Sequence, residues 1–88
     1  AVEAAPQSAV ALGNLGTYYL NAAEPQKAQP LLERAVTLDP GYVDALVNLA
    51  LLHTRAGRPE DAARLALQVL QLRPDEPRAR QILDATRR

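Results

Sequence analysis

Few residues in this 88-residue chain could break or make a bond. Ser8 is the only serine and His53 the only histidine, and there is no cysteine. A serine nucleophile needs a base and an orienting group beside it, and Ser8 lies near the N-terminal end of the sequence with neither nearby. A metal site of the two-histidine kind lacks its second ligand, and no glycine-rich phosphate loop occurs. His53 falls on the apolar side of a helical pattern, so it reads as a packed or hydrogen-bonded core residue. The reading is therefore of a chain that is not an enzyme and takes no metal or cofactor. What the sequence does offer is recognition chemistry. Asn14 and Asn48 each supply an amide donor and acceptor, and Arg55 and Arg78 can each hold a carboxylate through two parallel hydrogen bonds.

These groups sit on helices. From Ser8, read as an N-cap, Leu12, Leu15, Tyr19 and Leu20 recur at the spacing of one helical face. Pro25 opens a second helix to about Leu38, with Ala28, Leu31, Leu32, Ala35 and Leu38 inward; a proline at the first helical position loses no bond. Pro30, beyond that first turn, removes the bond to the carbonyl of Gln26 and should bend the helix slightly. Asp39-Pro40-Gly41 ends it. A third helix covers roughly Tyr42–Ala56, Gly57 suits a left-handed cap, and a fourth runs from Pro59 to Leu72. The turn after the first helix has Ala23 where the later one has Gly57, so it is either built differently or strained. A fifth helix, about Pro77–Arg87, shows Ala79, Ile82, Leu83 and Thr86 inward and Arg80, Asp84 and Arg87 outward.

The pattern repeats at an offset of 34 residues. Leu12-x2-Leu15-Gly16-x2-Tyr19, then Ala28-x3-Leu32 and Pro40, falls on Leu46-x2-Leu49-Ala50-x2-His53, then Ala62-x3-Ala66 and Pro74. This period and internal spacing resemble the tetratricopeptide repeat family over residues 9–88. Leu12 and Leu46 stand where the family usually has tryptophan, and Leu32 and Ala66 where it has phenylalanine. The resemblance implies an all-α fold of antiparallel helix pairs stacked into a right-handed superhelix. Its parts are a leader or frayed end of a preceding segment at 1–7, repeats at 8–41 and 42–76, and a terminal capping helix or start of a third repeat at 77–88.

The resemblance also implies a function, a protein-interaction module whose concave face, lined by the first helix of each pair, holds a peptide or protein segment. That face maps to Val10, Gly13, Asn14, Thr17 and Asn21, then Asp44, Val47, Asn48, Leu51 and Arg55, then Arg78, Gln81 and Ala85. The expected peptide contacts are Asn14, Thr17, Asn21, Asn48, Leu51, Arg55, Arg78 and Gln81. Asn14 and Asn48 are one period apart and could pair with a ligand backbone, or be tolerable solvent-facing residues; helix propensity gives no reason to place asparagine there twice. A chaperone-type carboxylate clamp is not expected, because Gly13, Thr17 and Ile82 replace its lysine, asparagine and arginine. Tyr19 and Tyr42 read as packing residues, and Tyr18 fits either role.

Bulk properties bound the partners. The net charge is zero and aromatics are limited to three tyrosines, so neither the basic field nor the stacking platform of a nucleic-acid binder is present. No apolar run approaches the roughly 18 residues of a membrane span, so no membrane insertion is expected. Charge is uneven: Glu3, Glu24, Glu33, Asp39 and Asp44 face Lys27 and Arg34 over residues 1–54, while Arg78, Arg80, Arg87 and Arg88 face Asp84 over 77–88. That polarity suggests an alternative function, a homo-oligomer in which the basic last helix of one copy meets the acidic first repeat of another. A regulatory appendage of a larger enzyme is a third reading. Arginine outnumbers lysine nine to one, which reads as the coding bias of a GC-rich bacterial genome and a cytoplasmic or periplasmic location.

Overall fold

The computed structural model describes residues 8–86, and all regular structure among them is helical. Five helices follow in order: α1 Ala9–Asn21, α2 Pro25–Leu38, α3 Val43–Arg55, α4 Pro59–Leu72 and α5 Pro77–Thr86. The leader expected at residues 1–7, and Arg87 and Arg88, lie outside the described residues.

Local chemistry sets the boundaries. Ser8 caps α1, its hydroxyl accepting from the Ala11 amide at 3.3 Å. Pro25 and Pro59 occupy the first turns of α2 and α4, where a missing N–H costs nothing. The helix α2 runs through Pro30 without interruption. Both hairpin turns use the same cap. Ala23 N–H donates to Leu20 O and Glu24 N–H to Tyr19 O; one period later Gly57 donates to Thr54 O and Arg58 to His53 O. That pair of bonds is the Schellman arrangement, which needs a left-handed residue at its centre. Gly57 takes φ 77° without strain, whereas Ala23 is forced to φ 61°. The first turn is thus built like the second, and strained.

Helices α1 and α2 form one antiparallel hairpin and α3 and α4 the next, with α5 packed on α4; α2 also packs on α3. The first helices touch one another in turn, α1 with α3 and α3 with α5, so they share one face of the stack. Close approach within the first hairpin rests on Gly16. A Cβ there would lie 2.7 Å from Leu32 Cγ, inside any real contact. In the second hairpin the equivalent pair is Ala50 and Ala66, so a smaller partner makes room for the methyl group.

Two apolar clusters run the length of the array. One joins Leu12, Leu20, Ala28, Leu32 and Ala35 of the first hairpin to Ala45, Leu49 and Leu52 of α3; the other joins the second hairpin to Ala79 and Ile82 of α5. His53 is buried as expected, with Nδ1 lacking a hydrogen-bond partner. Two inward assignments are corrected. Leu15 is 44 % exposed because it lies on the outer side of α1, and Leu38 is 44 % exposed because it ends α2 at the turn. Tyr19 and Tyr42 pack against the first cluster, while Tyr18 points outward.

Candidate functional site

The shared face of α1, α3 and α5 carries the residues picked out from the sequence, and the structure sorts them into free and engaged groups. Asn14, Asn21, Arg55 and Gln81 are exposed, and Leu51 is half-buried. Two other expected members of the face are corrected. Val47 is buried in the second cluster with Ala79 and Ile82. Gly13 is buried beneath the Tyr42 ring, whose Cε2 would lie 2.7 Å from an added Cβ.

Asn48 and Thr17 bind each other. Thr17 donates its hydroxyl proton to Gly13 O at 2.8 Å and accepts from Asn48 Nδ2 at 2.8 Å. The bond ties α1 to α3 and leaves Asn48 Oδ1 as the acceptor available to an outside group. The asparagine series stops there, because the next equivalent position is Ile82, buried in the second cluster.

Arg78 is engaged more completely. Its Nε and one terminal nitrogen donate to the two oxygens of Glu76 at 3.0 and 3.1 Å, and the same terminal nitrogen donates to Asp44 Oδ1 at 2.9 Å. Glu76 immediately precedes α5 and also accepts from the Arg78 backbone N–H at 3.0 Å, so it caps that helix while holding the guanidinium. These bonds, from the side chain first and the backbone second, hold the Glu76 carboxyl down at about 2. They push the Arg78 guanidinium above its ordinary value. These bonds use Nε and one terminal nitrogen, and leave the two N–H groups of the other terminal nitrogen for any further acceptor. The same bonds spend inside the chain part of the basic charge that head-to-tail assembly would use.

Arg55 is the contrast. It makes no ion pair among the described residues, and it lines a groove of about 470 Å³ with Leu20, Asn21, Ala23, Pro25, Leu52 and Ala56. Asn21 and Arg55 are equivalent positions, one at the end of α1 and one at the end of α3. The groove therefore lies between the two hairpin turns, with carbon walls and one amide and one guanidinium on its rim. Sequence reasoning found Asn21 and Arg55 but not the wall, which comes from turn residues. A second depression, of about 440 Å³, lies at the opposite turns among Asp39, Gly41, Tyr42, Val43, Asp44, Leu72 and Arg73. Among the described residues, no group of three or more acidic, histidine or cysteine side chains is arranged to hold a metal ion. No helix among them is long and apolar enough to cross a membrane.

Stacked helical hairpins with a continuous first-helix face define a solenoid scaffold, a class that holds other proteins. The chain belongs to the tetratricopeptide repeat family, whose sequence profile matches residues 19–85. It is similar to anaphase-promoting complex subunit 7 of Arabidopsis thaliana, at 38 % identity over 72 residues, which is 81 % of this chain and 13 % of that protein. Its fold matches the crystal structure of MamA protein with a TM-score of 0.87 and 29 % identity, covering 91 % of this chain and 44 % of that one. The chain thus spans a small part of the first protein and less than half of the second. The family and fold are typically those of interaction scaffolds and not of enzymes.

Proposed function

We propose that this chain grips an extended segment of a protein partner across the α1–α3–α5 face, and that the groove at Arg55 reads the segment. An apolar side chain of the partner enters between Leu20, Pro25 and Leu52. A carboxylate within a residue or two of it meets the Arg55 guanidinium. The amides of Asn14, Asn21 and Gln81, with Asn48 Oδ1, pair with the partner's main chain, which suits recognition that tolerates many side chains. Thr17 and Arg78 serve the site by holding α1 to α3 and α3 to α5. The observation that carries this reading is an arginine with no ion pair among the described residues, on the rim of an apolar groove, on a face whose other arginine is held by Glu76 and Asp44.

The test is selection of peptides from a random displayed library against the intact chain, followed by affinity measurement on the winners. Enrichment of an apolar residue next to aspartate or glutamate is expected. Arg55→Glu should weaken such peptides about tenfold or more, the worth of one charge-assisted hydrogen bond. Arg58→Glu, three residues away and off the groove, should change affinity little. Binding unaltered by Arg55→Glu overturns the proposal.

A further inference from the structure

The outer side of α1 carries an apolar stripe on which no helix among the described residues packs. Ala11 is exposed, Leu15 is 44 % exposed and Tyr18 is 63 % exposed. Leu15 and Tyr18, one turn apart, line up on one helical face, the arrangement that a packing surface for a further helix requires. The 34-residue period says what kind. Adding one period to Ala11, Leu15 and Tyr18 gives Ala45, Leu49 and Leu52, which are only 1 %, 4 % and 2 % exposed. Those three are buried because α2 lies across them, in the cluster that holds Leu32 and Ala35. Adding a second period gives Ala79, Leu83 and Thr86 of α5, the helix packed on α4. In α3, therefore, these positions are covered by the second helix of the preceding hairpin, and in α5 Ala79 is buried and Leu83 half-buried against the cluster that contains α4. In α1 the same stripe is present, and no helix among the described residues covers it.

The opposite end is different. The positions of α3 that meet its own hairpin partner, Leu46 and Ala50, become Arg80 and Asp84 in α5, both exposed and charged. Among the described residues, the open side of α5 is charged and that of α1 apolar, so the two are not complementary.

The sequence before α1 keeps the period. Ala1-Val2 and Pro6 stand one period before Ala35-Val36 and Pro40, the last turn of α2 and the proline that closes its hairpin. Pro74 continues the series.

We propose that the Ala11–Leu15–Tyr18 stripe seats an amphipathic helix arriving from the N-terminal side of α1, with the apolar spacing of α2 and α4. The occupant is the second helix of a preceding 34-residue unit in the same polypeptide. The geometry is that of the α2–α3 junction moved back by one period. This surface is separate from the peptide groove, and the inference stands whether or not the groove binds as proposed.

The experiment extends the chain in register. The ten residues Pro59–Gln68 are placed directly before Ala1, so that the added segment continues into Ala1-Val2 as it natively continues into Val69-Leu70. A control carries the same ten residues in scrambled order. Tm is measured by circular dichroism, α1 by amide hydrogen exchange, and mass by sedimentation. The in-register extension should raise Tm by about 5 °C or more over the scramble, a shift of the size that one added packing contact gives in a domain this small. It should also slow exchange along α1. Leu15→Asp, introduced into both the parent and the extended chain, should erase the gain and not merely lower both melts equally. Equal Tm for the two extensions overturns the proposal. So does a parent chain that sediments as a dimer dissociated by Leu15→Asp, since the stripe would then belong to a second copy.

Discussion

Replacing Ala23 with glycine should stabilise the protein, although it removes a methyl group and contacts nothing new. Ala23 is held at φ 61° by the two backbone bonds of its turn. An L-residue in that region costs about 1–2 kcal/mol, because its Cβ crowds the following carbonyl. Glycine escapes that cost but brings more freedom to the unfolded chain, which takes back about 0.4–1 kcal/mol. The net gain is about 0.5–1 kcal/mol, or about 3–6 °C in Tm for a domain of this size. Gly57 supplies the mirror experiment. A Cβ added there meets nothing within 4 Å, so Gly57→Ala isolates the backbone cost from any clash. It should lower stability by the amount that Ala23→Gly raises it. The double exchange, with glycine at 23 and alanine at 57, should return to the parent within about 0.5 kcal/mol if the two turns act independently. Urea and thermal melts followed by far-ultraviolet circular dichroism measure all four proteins. An Ala23→Gly variant no more stable than the parent, or a Gly57→Ala variant without loss, refutes the shared-turn argument.

Gly16→Ala should destabilise, because its Cβ would sit 2.7 Å from Leu32 Cγ. Overpacking of that kind costs about 1–3 kcal/mol, against a helix-propensity gain of about 1 kcal/mol; a rise in Tm would show that the α1–α2 crossing relaxes freely. A further prediction concerns acid. Glu76 titrates at about 2 instead of its ordinary 4.5, so the stability it contributes is complete above 4.5 and is lost as the pH falls through about 2. Tm measured across that interval should fall more steeply in the parent than in Glu76→Gln, and parallel curves would remove Glu76 from the account.

What could be read before the structure was local. Helix starts at Ser8, Pro25 and Pro59 and the cap at Gly57 depend on residues within one turn, and each sits where the sequence placed it. The packing of small residues was also legible, because Gly16, Ala50, Ala28 and Ala62 stand one period apart in two places. The outward sides were not. Leu15 satisfies the helical spacing of α1 yet faces away from the hairpin, since a wide apolar stripe contains both the side that meets α2 and the side that would meet a preceding helix. Leu38 misled for another reason, its apolar character being spent at a turn where its equivalent Leu72 is similarly exposed. The internal bonds of Asn48 and Arg78 escaped because they join residues 31 and 34 positions apart. The second of these does have a signature in the sequence. Asp44 and Arg78 are equivalent positions on successive first helices, so opposite charges there are neighbours in any stacked array.

That signal points to where recognition should be sought in a repeated structure. Positions that keep their character from one period to the next, such as Gly16 with Ala50, Ala28 with Ala62 and Ala23 with Gly57, answer to the same packing or turn requirement in each unit. A ligand lies across several units at once and meets each at a different point of its own sequence, so the residues that read it need not repeat. On the shared face, Val10, Asp44 and Arg78 differ at one register, and Asn21 and Arg55 differ at another. The first set is consumed by the Asp44–Arg78 ion pair, which fixes one helix against the next. The second set remains open, on the rim of the apolar groove. Asn14 and Asn48 do repeat, yet Asn48 gives one of its two amide hydrogens to Thr17. The break in repetition at Asn21 and Arg55 leaves an amide and a guanidinium on that rim, and on the reading proposed above it is there that a partner's chemistry is selected.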